Sequence, residues 1–166
     1  MPVYVLDSNI FIQAHRSSYP LDVVTSFWET IKSLADNSKI ISIDKVRDEI
    51  SKNEDELTIW IDSNLPKDFF KSTDEQSVID EYAKIVPWAE SWSDHYHRGA
   101  IDEFLKFSNA DTWLIAYCKM SGDRLVTQET SNPDQKRRIP IPEPCNHFDI
   151  RYCNMITMFR ELGVTF

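Results

Sequence analysis

The chain opens with an unbroken apolar run, VYVL at residues 3–6, that ends abruptly on Asp7. A run with no polar alternation is expected of a central strand covered on both faces. Between Pro20 and Ala35 the apolar residues Val23, Val24, Phe27, Trp28, Ile31, Leu34 and Ala35 recur at helical spacing, and IISI at 40–43 reads as a second strand. Asp44 is placed to cap a helix that carries Val46 and Ile50 inward and leaves Glu49 at the apolar edge. Residues 54–63 form another helical stretch. A longer one runs from Thr73 towards Trp92, with Pro87 expected to kink or interrupt it.

Ser8 or Asn9 is placed to cap the first helix, and Ser108 or Asn109 to cap ADTWLIAYCKM, which Gly122 terminates. RLVT at 124–127 reads as a third strand. Ser131 to Pro144 is polar, basic and holds four prolines, so it reads as a loop with a short edge strand over 139–141. A last helix over 155–162 stops at Gly163, and VTF remains as a candidate closing strand. Strands separated by helices predict an α/β domain of three layers with a mainly parallel sheet, whose ligands gather at the carboxyl ends of the strands. A length of 166 residues fits a single domain over 1–166.

Against this pattern four acids stand out because each lies at the end of an apolar run: Asp7, Glu49, Asp111 and Glu129. Carboxylates at the rim of a core, gathered in one cleft, repel one another by roughly 4 kcal/mol per close pair at an effective dielectric of about 20. They require cations. A site of oxygen donors without thiolate or imidazole suits Mg²⁺ or Mn²⁺ and not zinc.

Composition narrows the classes. A hydrophobic share of 42% with five Trp, six Tyr and nine Phe describes a globular chain. Three glycines exclude the glycine-rich phosphate loops of ordinary nucleotide binders, and neither G-x-x-x-x-G-K-[ST] nor G-x-G-x-x-G can be written anywhere. A net charge of −9 argues against avid non-specific DNA binding, yet is compatible with a nuclease whose own site is acidic. Cys118, Cys145 and Cys153 form an odd, unpatterned set expected to stay reduced. No signal peptide or membrane-spanning run is visible, so a cytoplasmic location is expected.

VLDSNIFI, DEI, ADTWLIA and VTQE, in that order, resemble the successive acidic motifs of PIN-domain ribonucleases. With RIPIPEPC they are similar to a VapC-like bacterial subfamily whose genes often sit in toxin–antitoxin pairs. The resemblance implies a PIN-like fold in which Asp7, Glu49 and Asp111 hold metal, Asn9 supports Asp7 and Thr127 orders the site. Glu129 takes the fourth acidic position, where Asp is more frequent. The extra methylene allows ligation directly or through water. It further implies an RNA substrate, a cognate antitoxin protein and a homodimer. Phosphodiester hydrolysis gives the acids a reason of its own, because it needs an activated water and neutralisation of charge on the phosphate.

Plainer readings compete at each position: a turn at Asp7, a solvated helix residue at Glu49, a helix-dipole preference at Asp111, capping at Ser8 and Asn9, β-propensity at Thr127. Lys136, Arg137 and Arg138 are candidates for holding an RNA backbone. Cys145, His147 and Cys153 lack a zinc spacing. His95, His97 and Arg98 are weaker phosphate candidates, and Trp88 and Trp92 are candidates for base stacking. The expected activity is a divalent-metal-dependent endoribonuclease, a toxin of a two-gene module. The alternative is a PIN-like RNA- or protein-binding module without turnover. An aspartyl-phosphate receiver fits less well, since Asn9 stands where a second acid is expected.

Overall fold

Strand β1 (Tyr4–Leu6) is fully buried and lies at the middle of a five-stranded sheet in the computed structural model, which describes residues 3–166. On one side follow β2 (Ile40–Ile43) and β3 (Phe70–Lys71); on the other, β4 (Arg124–Val126) and β5 (Tyr152–Cys153). All neighbours are parallel. The continuous apolar runs of β1 and β2 are what a parallel sheet covered on both faces requires, and every residue of both is buried. This is the expected α/β class, with a sheet that is wholly parallel.

Helices complete the layers: α1 (Ser8–Gln13), α2 (Thr25–Asp36), α3 (Asp44–Ser51), α4 (Glu56–Asn64), α5 (Gln76–Ser91), α6 (Arg98–Phe104), α7 (Ala110–Ser121), α8 (Pro142–His147) and α9 (Met155–Leu162). Their apolar faces meet the sheet in one core that includes Leu6, Phe11, Ile31, Ile43, Ile85 and Leu114. None of the described helices is long and apolar enough to cross a membrane.

Several expectations are corrected. Helix α5 runs on through Pro87 to Ser91, because the buried residues Ile85, Trp88 and Ala89 hold both halves against the core. Ile139 and Ile141 are buried without joining a ladder, since the adjacent Pro140 and Pro142 have no N–H to donate. Helix α8 begins at Pro142, inside the segment expected to be a loop. The tail 164–166 forms no strand; the edge is β5 instead. Helix α2 starts only at Thr25, leaving Val23 73% exposed.

The topology fixes where ligands gather. The chain builds outward from β1 to β3 on one side, then crosses to β4 and β5 on the other. The order therefore reverses between β1 and β4, and a crevice opens at their carboxyl ends. Leu6 is in register with Val126, so Asp7 and Thr127 emerge side by side at that point.

Candidate metal centre

Asp7 leaves β1 in extended conformation and is 1% exposed. Its backbone N–H donates to the Val126 carbonyl at 3.0 Å, tying it to β4. Thr127 Oγ1 donates to Asp7 Oδ2 at 3.1 Å and accepts the Glu129 N–H at 3.1 Å, so one hydroxyl couples two of the acids. Ser8 Oγ lies 3.0 Å from Glu49 Oε1 and 3.4 Å from Asp7 Oδ1, bridging β1 to α3. Asp111 sits in the first turn of α7, where Asn109 Oδ1 accepts its N–H at 3.0 Å. Glu129 Oε2 accepts the Ile141 N–H at 3.3 Å.

Electrostatics tie the four together. Burial pushes the Asp7 carboxyl up to about 6, and the charges of Glu129 and Glu49 add to the rise; the Thr127 hydroxyl and the Asn9 backbone N–H oppose it. Asp111 is raised well above the usual carboxylate range by burial first, then by Asp7, Glu129 and Glu49. Arg138 works against that rise. Its guanidinium Nη2 is 3.6 Å from Asp111 Oδ2 and makes an ion pair with Glu129 Oε1. Glu129 Oε1 is buried, and this pairing lacks hydrogen-bond geometry, so the oxygen faces the cation without a bond of its own.

Arg138 is held there by its loop. The Gln135 side chain accepts the Lys136 and Arg137 N–H groups, the Lys136 carbonyl accepts the His97 N–H, and Glu143 accepts from Ser131 and Asn132.

The donor set fits a hard divalent cation. It is all oxygen, Asp7 and Asp111 are raised by burial first and then by the charge of neighbouring acids, and a buried oxygen of Glu129 faces the Arg138 guanidinium. Among the described residues no three acidic, His or Cys side chains close on one point as a finished cage would. The Arg138 guanidinium stands between Asp111 and Glu129 instead.

Not every expected residue occupies its expected place. Asn9 lines the cleft but reaches Asp7 only through its backbone N–H; the side-chain bridge is Ser8. Arg137 and Arg138 line the cleft, of about 290 Å³, whereas Lys136 does not. A larger concavity, of about 470 Å³, lies between Arg47, Asp62 and Phe70 and holds none of the four acids. Trp88 is buried, which removes it from base stacking; Trp92 is 44% exposed and packs edge-on against Trp88 and Tyr96. Arg98 is committed to Glu90 and Asp102, and His95 to the Gln135 carbonyl. All three cysteines are buried and free, and burial pushes the Cys145 thiol up to about 12.

The family described as "Domain of unknown function (DUF4411)" matches residues 4–166. No curated protein matches the chain by sequence. Among solved structures, the crystal structure of VapBC2 from Rickettsia felis bound to a DNA fragment from their promoter contains a similar chain. It is 16% identical, with a TM-score of 0.57 over 92% of this chain and 98% of that one. The likeness is one of fold, and the fold is PIN-like.

Proposed function

We propose that this chain, which belongs to the DUF4411 family, is a divalent-metal-dependent endoribonuclease and the toxin of a toxin–antitoxin pair. The observation that carries the reading is the gathering of Asp7, Glu49, Asp111 and Glu129 at the crevice between β1 and β4, where burial, and then the charge of neighbouring acids, raises Asp7 and Asp111. Four formal negative charges balance up to two Mg²⁺ or Mn²⁺ ions. Similarity to a chain of the VapBC2 complex supports the toxin–antitoxin assignment at the level of fold.

In this reading Asp7, Asp111, Glu49 and Glu129 hold the metal, which when bound supplies an activated water and neutralises charge on the scissile phosphate. The Thr127 hydroxyl links one Asp7 oxygen to the Glu129 backbone, and Ser8 fixes the spacing between Asp7 and Glu49. Burial of Asp7 keeps bulk water from screening the site. Arg137 and Arg138 line the same cleft; both are candidates to hold a phosphate from the side, Arg138 at the expense of its pairing with Glu129 and Asp111.

The test is metal removal. Purified protein should cleave single-stranded or structured RNA with Mn²⁺ or Mg²⁺, lose that activity in chelator and regain it on adding metal back. Absence of both calorimetric Mn²⁺ binding and cleavage would overturn the reading. The binding-module alternative draws on Arg138, which neutralises two of the acids without any metal. The two readings part on Arg138→Gln. If the guanidinium is an internal competitor, its removal should tighten Mn²⁺ binding by about threefold to tenfold, a modest figure because Arg138 is half exposed. Unchanged or weaker Mn²⁺ binding in calorimetry would show that it does not compete.

A further inference from the structure

Beside the acidic cleft lies a second cavity of about 430 Å³, lined by Lys45, Thr73, Ile79, Tyr82, Phe107 and Trp113, with Asp74 on its rim. Its wall is a fixed aromatic stack. Tyr82 and Trp113 are stacked at 4.1 Å, and Phe107 meets Trp113 edge-on at 5.4 Å. Trp113 Nε1 donates to the Phe107 carbonyl at 2.9 Å, which pins the loop that carries the ring. Phe107 is nevertheless 69% exposed. An aromatic ring so well supported and so poorly covered is a surface prepared for a flat partner.

Lys45 supplies charge to the same place. Its ammonium lies 4.7 Å from the centre of the Phe107 ring and 5.5 Å from that of Trp113. The neighbouring carboxylate of Asp44 is occupied by the Thr73 N–H and hydroxyl and by the Lys45 N–H. Among the described residues Lys45 makes no ion pair. A cation held over an exposed ring and paired with no carboxylate among the described residues, in a chain of net charge −9, selects a ligand that is both planar and anionic. Asp74 adds an acceptor for hydrogen-bond donors on that ligand's edge.

The position relative to the acids completes the argument. Lys45 precedes Glu49 by four residues of α3, just over one turn and about 6 Å along the same face. Phe107 precedes Asp111 by four residues, joined through the Asn109 cap. Both walls of the cavity thus lead into the cleft, at a displacement on the scale of one nucleotide. We propose that this cavity is a nucleobase subsite, in which a base of a single-stranded RNA flanking the scissile phosphate stacks on Phe107 while its own phosphate meets Lys45. The proposal rests on the nuclease reading and adds to it a base-stacking contact and a single-stranded requirement.

The test is fluorescence anisotropy with a short labelled single-stranded oligoribonucleotide, in the Asp111→Asn background to prevent turnover. Phe107→Ala should weaken binding by about 5- to 150-fold and Phe107→Tyr should restore it. Removing the base at one nucleotide, in an abasic scan, should weaken binding to the parent by the same factor and to Phe107→Ala not at all. Lys45→Gln should lower affinity for every base alike and reduce the salt slope by about one. Circular dichroism checks that the variants fold. Parent and Phe107→Ala binding alike, or losing equally at every abasic position, would overturn the subsite while leaving the nuclease standing. Loss of a co-expressed protein partner in Phe107→Ala with RNA binding intact would also overturn it, in favour of a protein-docking surface. Wild-type protein that neither binds nor cleaves RNA would remove the nuclease reading and the subsite together.

Discussion

Asp7→Asn is expected to lower metal-dependent cleavage by more than about 100-fold while making the metal-free protein more stable at neutral pH. The two effects have one cause. Asp7 is buried beside Glu129 and Glu49, so its carboxyl titrates near 6 in the folded chain against an ordinary value of 3.8. Between those values the native state holds a proton that the unfolded state has released, and stability therefore falls as pH rises through the interval. The shift corresponds to at most about 3 kcal/mol lost by pH 7, and Asp111 acts in the same direction. Asparagine has nothing to ionise and can still accept the Thr127 hydroxyl. The variant should gain ~1–3 kcal/mol at pH 7, a rise of about 2–10 °C in Tm for a chain this size, and the gain should vanish near pH 4. Saturating Mn²⁺ should reverse the ranking, since it stabilises only the protein that binds it. Thermal melts at pH 4 and 7, with and without Mn²⁺, check all three points. Parallel pH profiles for wild type and variant would mean that Asp7 is not under charge stress.

Asp7 was legible in the sequence because it closes a run with no polar break, and a run of that kind has only one comfortable place, the centre of a parallel sheet. Asp111 was legible through its cap, since Asn109 and the apolar spacing of ADTWLIA mark the start of α7. Strands β3 and β5 were not. Each is two residues long, and β3 is only half buried, so neither carries a period that can be told from a loop. Ile139 and Ile141 misled in the opposite sense: β-branched residues two apart suggest a strand, but they are buried by packing while flanking prolines forbid the ladder. Arg138 could be seen as basic and loop-borne. Its pairing with Asp111 is a tertiary contact over 27 positions, set by anchors at Gln135, His97 and Glu143 that no local spacing reveals. Ser8 reads as a cap, but Asp7 holds the cap position and Ser8 opens α1; its role as a bridge to Glu49 depends on where α3 is packed.

Overexpression of the wild-type chain in a bacterial host should arrest growth, and Asp111→Asn at matched protein level should not. Asp111 is the sharper choice for this comparison because it meets the other acids from α7, across the cleft from the β1 and β4 ends, so its loss removes a wall of the site without touching the sheet. The substitution is also mild for the fold, since Asn109 still caps the helix and Asn at 111 accepts the same surroundings without the repulsion of Asp7, Glu129 and Glu49. An antitoxin that works by filling the cleft must do what Arg138 does within the chain, offering a guanidinium or ammonium to Asp111 and Glu129. Co-expression of the adjacent gene should then relieve the arrest. Equal arrest by wild type and Asp111→Asn, read from growth curves with protein levels matched by immunoblot, would separate toxicity from metal-dependent cleavage and favour the binding module. Arrest by wild type alone, relieved by the neighbour, would tie the acids, the metal and the partner to one cleft.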